Sequence, residues 1–136
     1  MASNLAHALE SLGDRWTLQV VAGLLDGPKR FGELMESLDG IAPNVLTTRV
    51  RQLERQGIVV ATPYSQRPVR LAYALSDSGR ELAGAISLLS AWGARQTGGT
   101  EGPVHASCGT GLESVLYCPT CERPADSGAS ELVLWM

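Results

Sequence analysis

The sequence contains few aromatic residues and no long apolar run. Aromatic residues make up 5% of the 136 residues, and Phe31 is the single phenylalanine. Leucine, valine, isoleucine and alanine must therefore build the core. No stretch approaches the roughly 18 apolar residues that span a bilayer, so we expect no membrane segment. The start also lacks the basic and then apolar pattern of an export signal, and we expect a cytoplasmic protein.

Cysteine is absent from the first 107 residues, and all three cysteines follow within 14 positions. A reducing cytoplasm disfavours structural disulfides, so clustered cysteines there are more typical of metal binding or thiol chemistry. The sequence also lacks a Gly-rich phosphate loop, a nucleophile beside a base and a supported pair of carboxylates. These absences argue against an enzyme.

The chain has no overall basic excess, because its formal net charge is −3. The charge is unevenly distributed: residues 1–97 carry a net +1, and residues 98–136 carry −4. Within residues 49–70, five arginines face Glu54 alone. Salt screens charges beyond about 10 Å, so this local basic stripe matters more to a phosphate backbone than the total charge does.

Hydrophobic spacing and capping residues predict a mainly α-helical domain. Ser3, Asp14 and Ser76 are suited to cap helices, and Pro43 suits a first helical position. The predicted helices cover residues 3–12, 15–25, 31–38, 43–56 and 77–96. No internal repeat is visible in the sequence.

Two of these helices and the residues after them form a recognisable pattern. The short helix at 31–38 and the helix at 43–56 flank a turn that contains Gly40, which is typical of a helix-turn-helix. Leu46, Val50 and Leu53 lie on one face of the second helix. Two predicted strands, 58–64 and 69–75, enclose the four-residue loop "SQRP" and form a wing after it. The predicted fold is a winged helix-turn-helix, mainly α with a small β-wing.

The chain resembles the HxlR family of winged helix-turn-helix transcription regulators over residues 3–96. The resemblance rests on "LGDRWTLQVVAGLLDGPKRFGEL", "GIAPNVLTTRVRQLERQGIV" and "YALSDSGREL" in this order, with Trp92–Gly93 late in the last helix. It implies a homodimeric bacterial regulator that binds pseudo-palindromic operators. It also implies dimer contacts through the first and last helices of the domain.

The sequence departs from the family pattern at two positions. Many relatives have a redox-sensing cysteine where Ser3 aligns, so the family switch is expected to be absent. Relatives often have serine before the proline of the recognition helix, where this chain has Ala42. A helix cap of about 1 kcal/mol would be missing there.

Outward polar residues at the start of the 43–56 helix are the candidates for DNA contact, because this end of a recognition helix reaches base edges. Asparagine can bind adenine through two hydrogen bonds, and a threonine methyl can pack on thymine. Arginines in the wing would meet a minor groove or phosphates. The predicted contact residues are Pro43, Asn44, Thr47, Thr48, Arg51, Arg67, Arg70, Lys29 and Arg30. Arg49 is left out, because it lies beside the core face and is expected to pair with Glu54 or Glu33.

The tail has two pairs of potential metal ligands. His105 and Cys108 form one pair, and Cys118 and Cys121 form the other, each with two residues between. Four such nitrogen and sulfur donors suit a tetrahedral Zn²⁺ site, which can hold a segment too short to bury a core. We expect a small zinc ribbon in which "LESVLY" and "ELVLWM" form strands. Free or redox-active thiols are the alternative.

The sequence thus predicts a domain at 1–96, a linker at 97–103 and a metal-stapled tail at 104–136. The favoured function is a dimeric, sequence-specific DNA-binding regulator, expected to be a repressor. A winged helix that binds a protein is one alternative. A regulator switched by metal or thiol chemistry in its tail is another, and a small effector could act beside Trp16 and Trp92.

Overall fold

The computed structural model describes residues 3–99 and 102–125, and within them it confirms a mainly α-helical fold with a small antiparallel sheet. The predicted partner strand "ELVLWM" lies outside the described residues. The helices and strands, in chain order, are α1 (Asn4–Leu12), α2 (Thr17–Gly23), β1 (Lys29–Arg30), α3 (Phe31–Ser37), α4 (Pro43–Arg55), β2 (Val59–Gln66), β3 (Val69–Leu75), α5 (Asp77–Arg80), α6 (Ala83–Gln96), β4 (Tyr117–Cys118) and β5 (Arg123–Pro124).

The first two helices begin where side-chain oxygens accept backbone hydrogen bonds. The Ala6 N–H donates to Ser3 Oγ at 3.0 Å, as expected of a cap. Asp14 Oδ1 accepts from the Trp16 and Thr17 N–H groups at 2.8 and 3.0 Å. The second helix is shorter than predicted, since regular helix begins at Thr17 and ends at Gly23.

The helix-turn-helix and wing have the predicted order, with one additional strand. The β2–β3 hairpin, called the wing below, turns at Arg67 and Pro68, so β2 reaches two residues beyond the predicted end. Strand β1 adds to it, with Lys29 opposite Tyr73. No sequence pattern indicated β1, because a two-residue strand is too short to show any periodicity.

The helix predicted at 77–96 is two helices, α5 and α6, which meet around Glu81 and Leu82. The Gly79 N–H donates to Ser76 Oγ at 3.1 Å, so the predicted cap is present. Gly79 lies against Ile58, the residue just before β2, and an added Cβ would lie 2.4 Å from the Ile58 carbonyl oxygen. The Leu82 N–H then bonds to the carbonyl of Gly79, three residues back, which tightens the helix into a turn.

One apolar core fixes these elements around α4. Leu46, Val50 and Leu53 of α4 are buried, as their spacing predicted. They pack in a cluster with buried residues of α2, α3, the sheet and the start of α6, namely Val20, Val21, Leu24, Leu34, Leu38, Ile41, Ile58, Val59, Leu75 and Ile86. Because three turns of α4 are anchored, its opposite side must face outward.

The described chain divides into two compact units. One is Ala8–Ile86 and contains the core, the helix-turn-helix and the wing. The other comprises described residues 3–7, 87–99 and 102–125. Neither unit tests the predicted domain boundary at residue 96, which stays a prediction. Among the described residues, no helix has both the length and the apolar character needed to cross a bilayer.

Candidate functional site

The outward side of α4 presents the predicted base-reading residues to solvent. Pro43, Asn44, Thr48 and Arg51 are exposed, and Thr47 is half-buried. They lie on the first three turns of a helix whose other side is held in the core. Within the described chain, this face is therefore open to solvent and accessible to a ligand such as DNA.

The two threonines hold fixed orientations on this face. Thr47 Oγ1 donates to the Pro43 carbonyl at 3.0 Å, and Thr48 Oγ1 donates to the Asn44 carbonyl at 2.9 Å. Since each hydroxyl proton is used within the helix, the oxygen can offer a base only its acceptor lone pairs. The remaining polar donors at this end of the face are the amide of Asn44 and the guanidinium of Arg51.

The wing carries the two predicted flanking arginines. Arg67 lies in the hairpin turn and Arg70 lies on β3 opposite Ser65, and both are exposed. The register slips between Pro63 and Ser65, which leaves Tyr64 as an extra residue in β2. A bulge of this kind bends and twists a hairpin locally.

Lys29 and Arg30 lie at the entry to α3, as the sequence suggested, and they also form strand β1. Lys29 Nζ donates to the Gly23 carbonyl and forms an ion pair of 2.9 Å with Asp26, so its charge is already engaged. The Arg30 guanidinium lies 4.2 Å from the centre of the Tyr64 ring. Their role as phosphate contacts stays a prediction, with Arg30 held against the wing by a cation–π contact.

Tyr64 is a functional candidate that the sequence pattern did not reveal. Its ring is exposed on the wing and orients Arg30 from another strand. The proline before it was the one available signal, because proline within a strand is typical of an edge or a bulge. The contact itself depends on β1 pairing with β3, which no local pattern showed.

Arg49 pairs with Asp14 and not with the predicted Glu54 or Glu33. Its Nε lies 3.0 Å from Asp14 Oδ1 and is buried without a hydrogen bond among the described residues. Burial would raise the pKa of Asp14, but the hydrogen bonds from Thr17 and Trp16 and the charge of Arg49 together lower it below 3.8. Arg49 thus ties α4 to the start of α2, and its exclusion from the contact set stays a prediction.

The tail brings its four predicted ligands together as two pairs. His105 Nδ1 lies 3.2 Å from Cys108 Sγ, and the Cys121 N–H points to Cys118 Sγ at 3.5 Å. All three cysteines are free thiols. Across residues 3–99 and 102–125, no three or more histidine, cysteine and acidic side chains lie close enough together to hold one ion. Zinc binding stays a prediction.

The thiols differ in their local electrostatics. The contact with the Thr110 hydroxyl is the main cause that lowers the pKa of Cys108. The pKa of Cys118 is lowered chiefly by the N–H of Cys121, and the pKa of Cys121 is raised chiefly by its side-chain hydrogen bond with Cys118 and then by the charge of that thiol group. A thiol of lowered pKa is the better metal ligand and the better nucleophile, so both predicted roles of the tail remain chemically open.

A cleft of about 480 Å³ lies beside the end of α6. Its volume is within the range of small-molecule sites, so it is a candidate location for the predicted effector. Trp16 and Trp92, which the sequence suggested for that role, do not line it. Its walls are formed by Ala91, Ala94, Arg95, Gly99, Gly102, Pro103, Val104, Gly111, Leu112 and Glu113.

The sequence of the helix-turn-helix and wing matches a known family. The model of the HxlR-like helix-turn-helix family matches residues 11–101. The chain is also 37% identical over 122 residues to Rv3095 of Mycobacterium tuberculosis, an uncharacterised HTH-type transcriptional regulator, covering 87% of this chain and 77% of that protein. The 103 residues before the tail are fewer than the 87% of the chain that this similarity covers. The similarity therefore extends into the tail.

Solved structures show the same likeness. A proposed transcription factor of Pseudomonas aeruginosa, PA1374, is 33% identical with a TM-score of 0.67, covering 87% of this chain and 82% of that chain. The reduced form of the transcriptional regulator YodB of Bacillus subtilis is 32% identical with a TM-score of 0.60, covering 70% and 93%. The relatives are thus transcriptional regulators with the same helix-turn-helix and wing. The chain belongs to the HxlR-like helix-turn-helix family and is a DNA-binding transcriptional regulator.

Proposed function

We propose that the protein is a homodimeric repressor that inserts α4 into the major groove of a pseudo-palindromic operator. The observation that carries this proposal is the two-sided character of α4. Leu46, Val50 and Leu53 are buried, whereas Asn44 and Thr48 are exposed at the N-terminal end that reaches base edges. Arg51 follows one turn later, within reach of a guanine or a phosphate.

A dimer is proposed because one short recognition helix reads too few bases for selectivity. Two helices leave apolar side chains uncovered. None of the residues of α1 is buried, and its Leu5 and Leu9 are exposed. On α6, Leu88, Leu89 and Trp92 are each more than half exposed. Apolar faces of this kind are typical of subunit interfaces, and they support dimerisation through α1 and α6.

Repression is the simplest outcome of such binding, because a dimer bound near a promoter blocks access by polymerase. In two-fold symmetric binding, the two α4 helices would enter major grooves about 34–36 Å apart, one helical turn of DNA. The wing arginines would then contact the flanking backbone. A protein with this role acts beside the bacterial chromosome, in the cytoplasm.

The decisive experiment is a fluorescence-anisotropy titration of the protein with DNA from upstream of its own gene. We expect Asn44→Ala and Arg51→Ala each to weaken specific binding by about 1–3 kcal/mol, because each removes a base-directed group. Binding to unrelated DNA of the same length should change much less.

Arg15→Ala is the matched control, since it removes the same charge from an exposed position just before α2, outside the predicted contact set and the proposed dimer helices. It should leave operator affinity unchanged. Equal operator affinity for the wild type and an Asn44→Ala, Arg51→Ala double variant would refute the proposed reading face. Binding that does not fall with added salt would favour a protein partner over DNA.

A further inference from the structure

The tail contains two hairpins of the same construction. In the first, Val104 pairs with Gly111 and the His105 N–H donates to the Thr110 carbonyl at 2.8 Å. In the second, Tyr117 pairs with Pro124 and Cys118 with Arg123. Every position of the second hairpin follows its counterpart by 13 residues. The sequence showed no repeat because the two segments, "VHASCGTG" and "YCPTCERP", share almost no residues apart from one cysteine.

The potential ligands occupy equivalent positions in the two hairpins. His105 and Cys118 follow the first paired residue, and Cys108 and Cys121 come three residues later. The next residue is left-handed in both, with φ of 71° at Gly109 and 53° at Glu122. Glu122 is the only non-glycine residue with positive φ in the described chain, and this conformation is costly for a residue with a side chain. The same turn is therefore formed twice, once against local preference.

The donor atoms of the first hairpin are spaced for a shared ion. Bonds of about 2.0–2.3 Å to a tetrahedral Zn²⁺ place neighbouring donors roughly 3.5–3.8 Å apart. His105 Nδ1 and Cys108 Sγ are 3.2 Å apart, within a few tenths of an ångström of that separation. Cys118 and Cys121 line one small depression of about 220 Å³ in the second hairpin. Each hairpin thus presents two donors at one surface.

The described tail has no buried core that would hold the hairpins together. No residue from 102 to 125 is buried. The apolar side chains of this segment are exposed, namely Val104, Leu112, Val115, Leu116 and Tyr117. A segment without a core needs a metal, a disulfide or a partner to be stable.

We propose that the two hairpins close on a single Zn²⁺ ion, bound by His105, Cys108, Cys118 and Cys121 of one chain. Three thiolates and one imidazole form a closed tetrahedral set, which is a structural arrangement with no open position for catalysis. The ion would supply the fixed link that this segment lacks. The proposal does not depend on DNA binding, because its ligands are all in the tail.

The test is metal titration of the full-length protein after removal of bound metal under reducing conditions, first with Zn²⁺ and then with Co²⁺ as a spectroscopic probe. We expect one ion per chain, and for Co²⁺ the visible bands of a tetrahedral site with thiolate charge-transfer bands. Cys108→Ser and Cys121→Ser, one in each hairpin, should both weaken Zn²⁺ binding by more than the roughly 10–100-fold that loss of a supporting residue causes.

Four further variants make the test specific for the ligands. His105→Cys should retain one Zn²⁺ per chain because it keeps a donor, whereas His105→Ala should not. Ala106→Ser and Thr120→Ala change exposed non-ligand residues within the same two turns and should retain the ion. A melting curve for each variant would show that the winged domain is still folded.

Three outcomes would overturn the proposal. Unchanged affinity in both His105→Ala and Cys108→Ser would exclude the first hairpin from the site. One ion per two chains would indicate ligands shared between copies. No bound metal, together with a disulfide between Cys118 and Cys121 in the untreated protein, would indicate a redox pair instead.

Discussion

At the scale of single residues, charge has two distinct roles on this protein. Arg49 forms an ion pair with Asp14, whereas the side chains of Arg51 and Arg67 are exposed to solvent. Lys29 is engaged by Gly23 and Asp26. The stripe of arginines seen in the sequence is therefore partly structural and partly available to DNA.

The first prediction at this scale concerns Arg67 in the turn of the wing. Arg67→Ala should weaken binding to all DNA sequences about equally, because a phosphate contact carries no base information. It should also reduce the slope of log affinity against log salt by about one. Titrations at several salt concentrations on operator and unrelated DNA measure both effects. A loss confined to the operator would instead assign base reading to Arg67.

The second prediction concerns the ion pair between Asp14 and Arg49. Asp14→Asn keeps an acceptor for the backbone of α2 but removes the charge beside Arg49, and should cost roughly 1 kcal/mol of unfolding free energy at neutral pH. The pKa of Asp14 is lowered below 3.8 in the folded state. The charged carboxylate therefore stabilises the fold above pH 3.8, and this stabilisation is lost as the pH falls through the folded pKa.

Urea unfolding of wild type and Asp14→Asn from pH 7 to pH 3 tests this. The two stabilities should differ at pH 7, and the difference should shrink as the pH falls below about 4 toward the lowered folded pKa of Asp14. Glu36→Gln, which neutralises an exposed acid on α3, is the matched control and should show little difference at any pH. A gap that is as large at pH 3 as at pH 7 would show that the charge of Asp14 is not its source.

At the scale of elements, α4 is anchored in the core along its length but has no side-chain cap at its N-terminus. Ala42 precedes it in extended conformation, with φ of −81° and ψ of 146°, and provides no side-chain hydrogen bond to the first turn. Pro43 at the first position partly offsets this loss, because its missing N–H needs no partner. The proposed recognition helix is thus left with N–H groups at its N-terminal end that no side chain caps.

We therefore expect Ala42→Ser to stabilise the protein by about 1 kcal/mol, since serine oxygen can accept a hydrogen bond from the first turn of α4. Thermal unfolding should show a midpoint raised by a few degrees, roughly 3–6 °C. Ala42→Val, which adds bulk without an acceptor, is the control and should give no gain. An equal rise in both variants would attribute the effect to packing and not to capping.

At the scale of the whole molecule, the apolar side chains left uncovered are as informative as the core. Ile86 of α6 enters the core, whereas Leu89 and Trp92 further along the helix are exposed. The same holds for α1, which buries no residue. On these two helices, apolar side chains stay exposed in the single chain, and we propose that a second subunit covers them.

We predict that a Leu89→Asp, Trp92→Ser double variant is monomeric, because it removes apolar area and adds charge to the proposed interface. Sedimentation velocity measures the mass, and anisotropy should show a large loss of operator affinity through loss of the second half-site. Val115→Asp, a similar change at an exposed tail position, should remain dimeric. A double variant that stays dimeric with unchanged affinity would place the interface elsewhere.

The sequence by itself determined the elements whose signals are local. The spacing of Leu46, Val50 and Leu53 placed the buried face of α4, and Ser3 and Ser76 marked helix starts correctly. The exposed face of α4 followed directly, because a helix that buries one side must present the other. The helix-turn-helix, the wing and the family could therefore be read from residue order.

Tertiary structure alone decided the features that depend on distant residues. Strand β1 exists because β3 lies beside it, and the partner of Arg49 depends on how α4 packs against the start of α2. The break between α5 and α6 accompanies the close approach of Gly79 to Ile58. The matching hairpins of the tail were hidden because their two segments share almost no residues. A local pattern reports propensity and periodicity, whereas these features arise from contacts between segments that only the folded chain brings together.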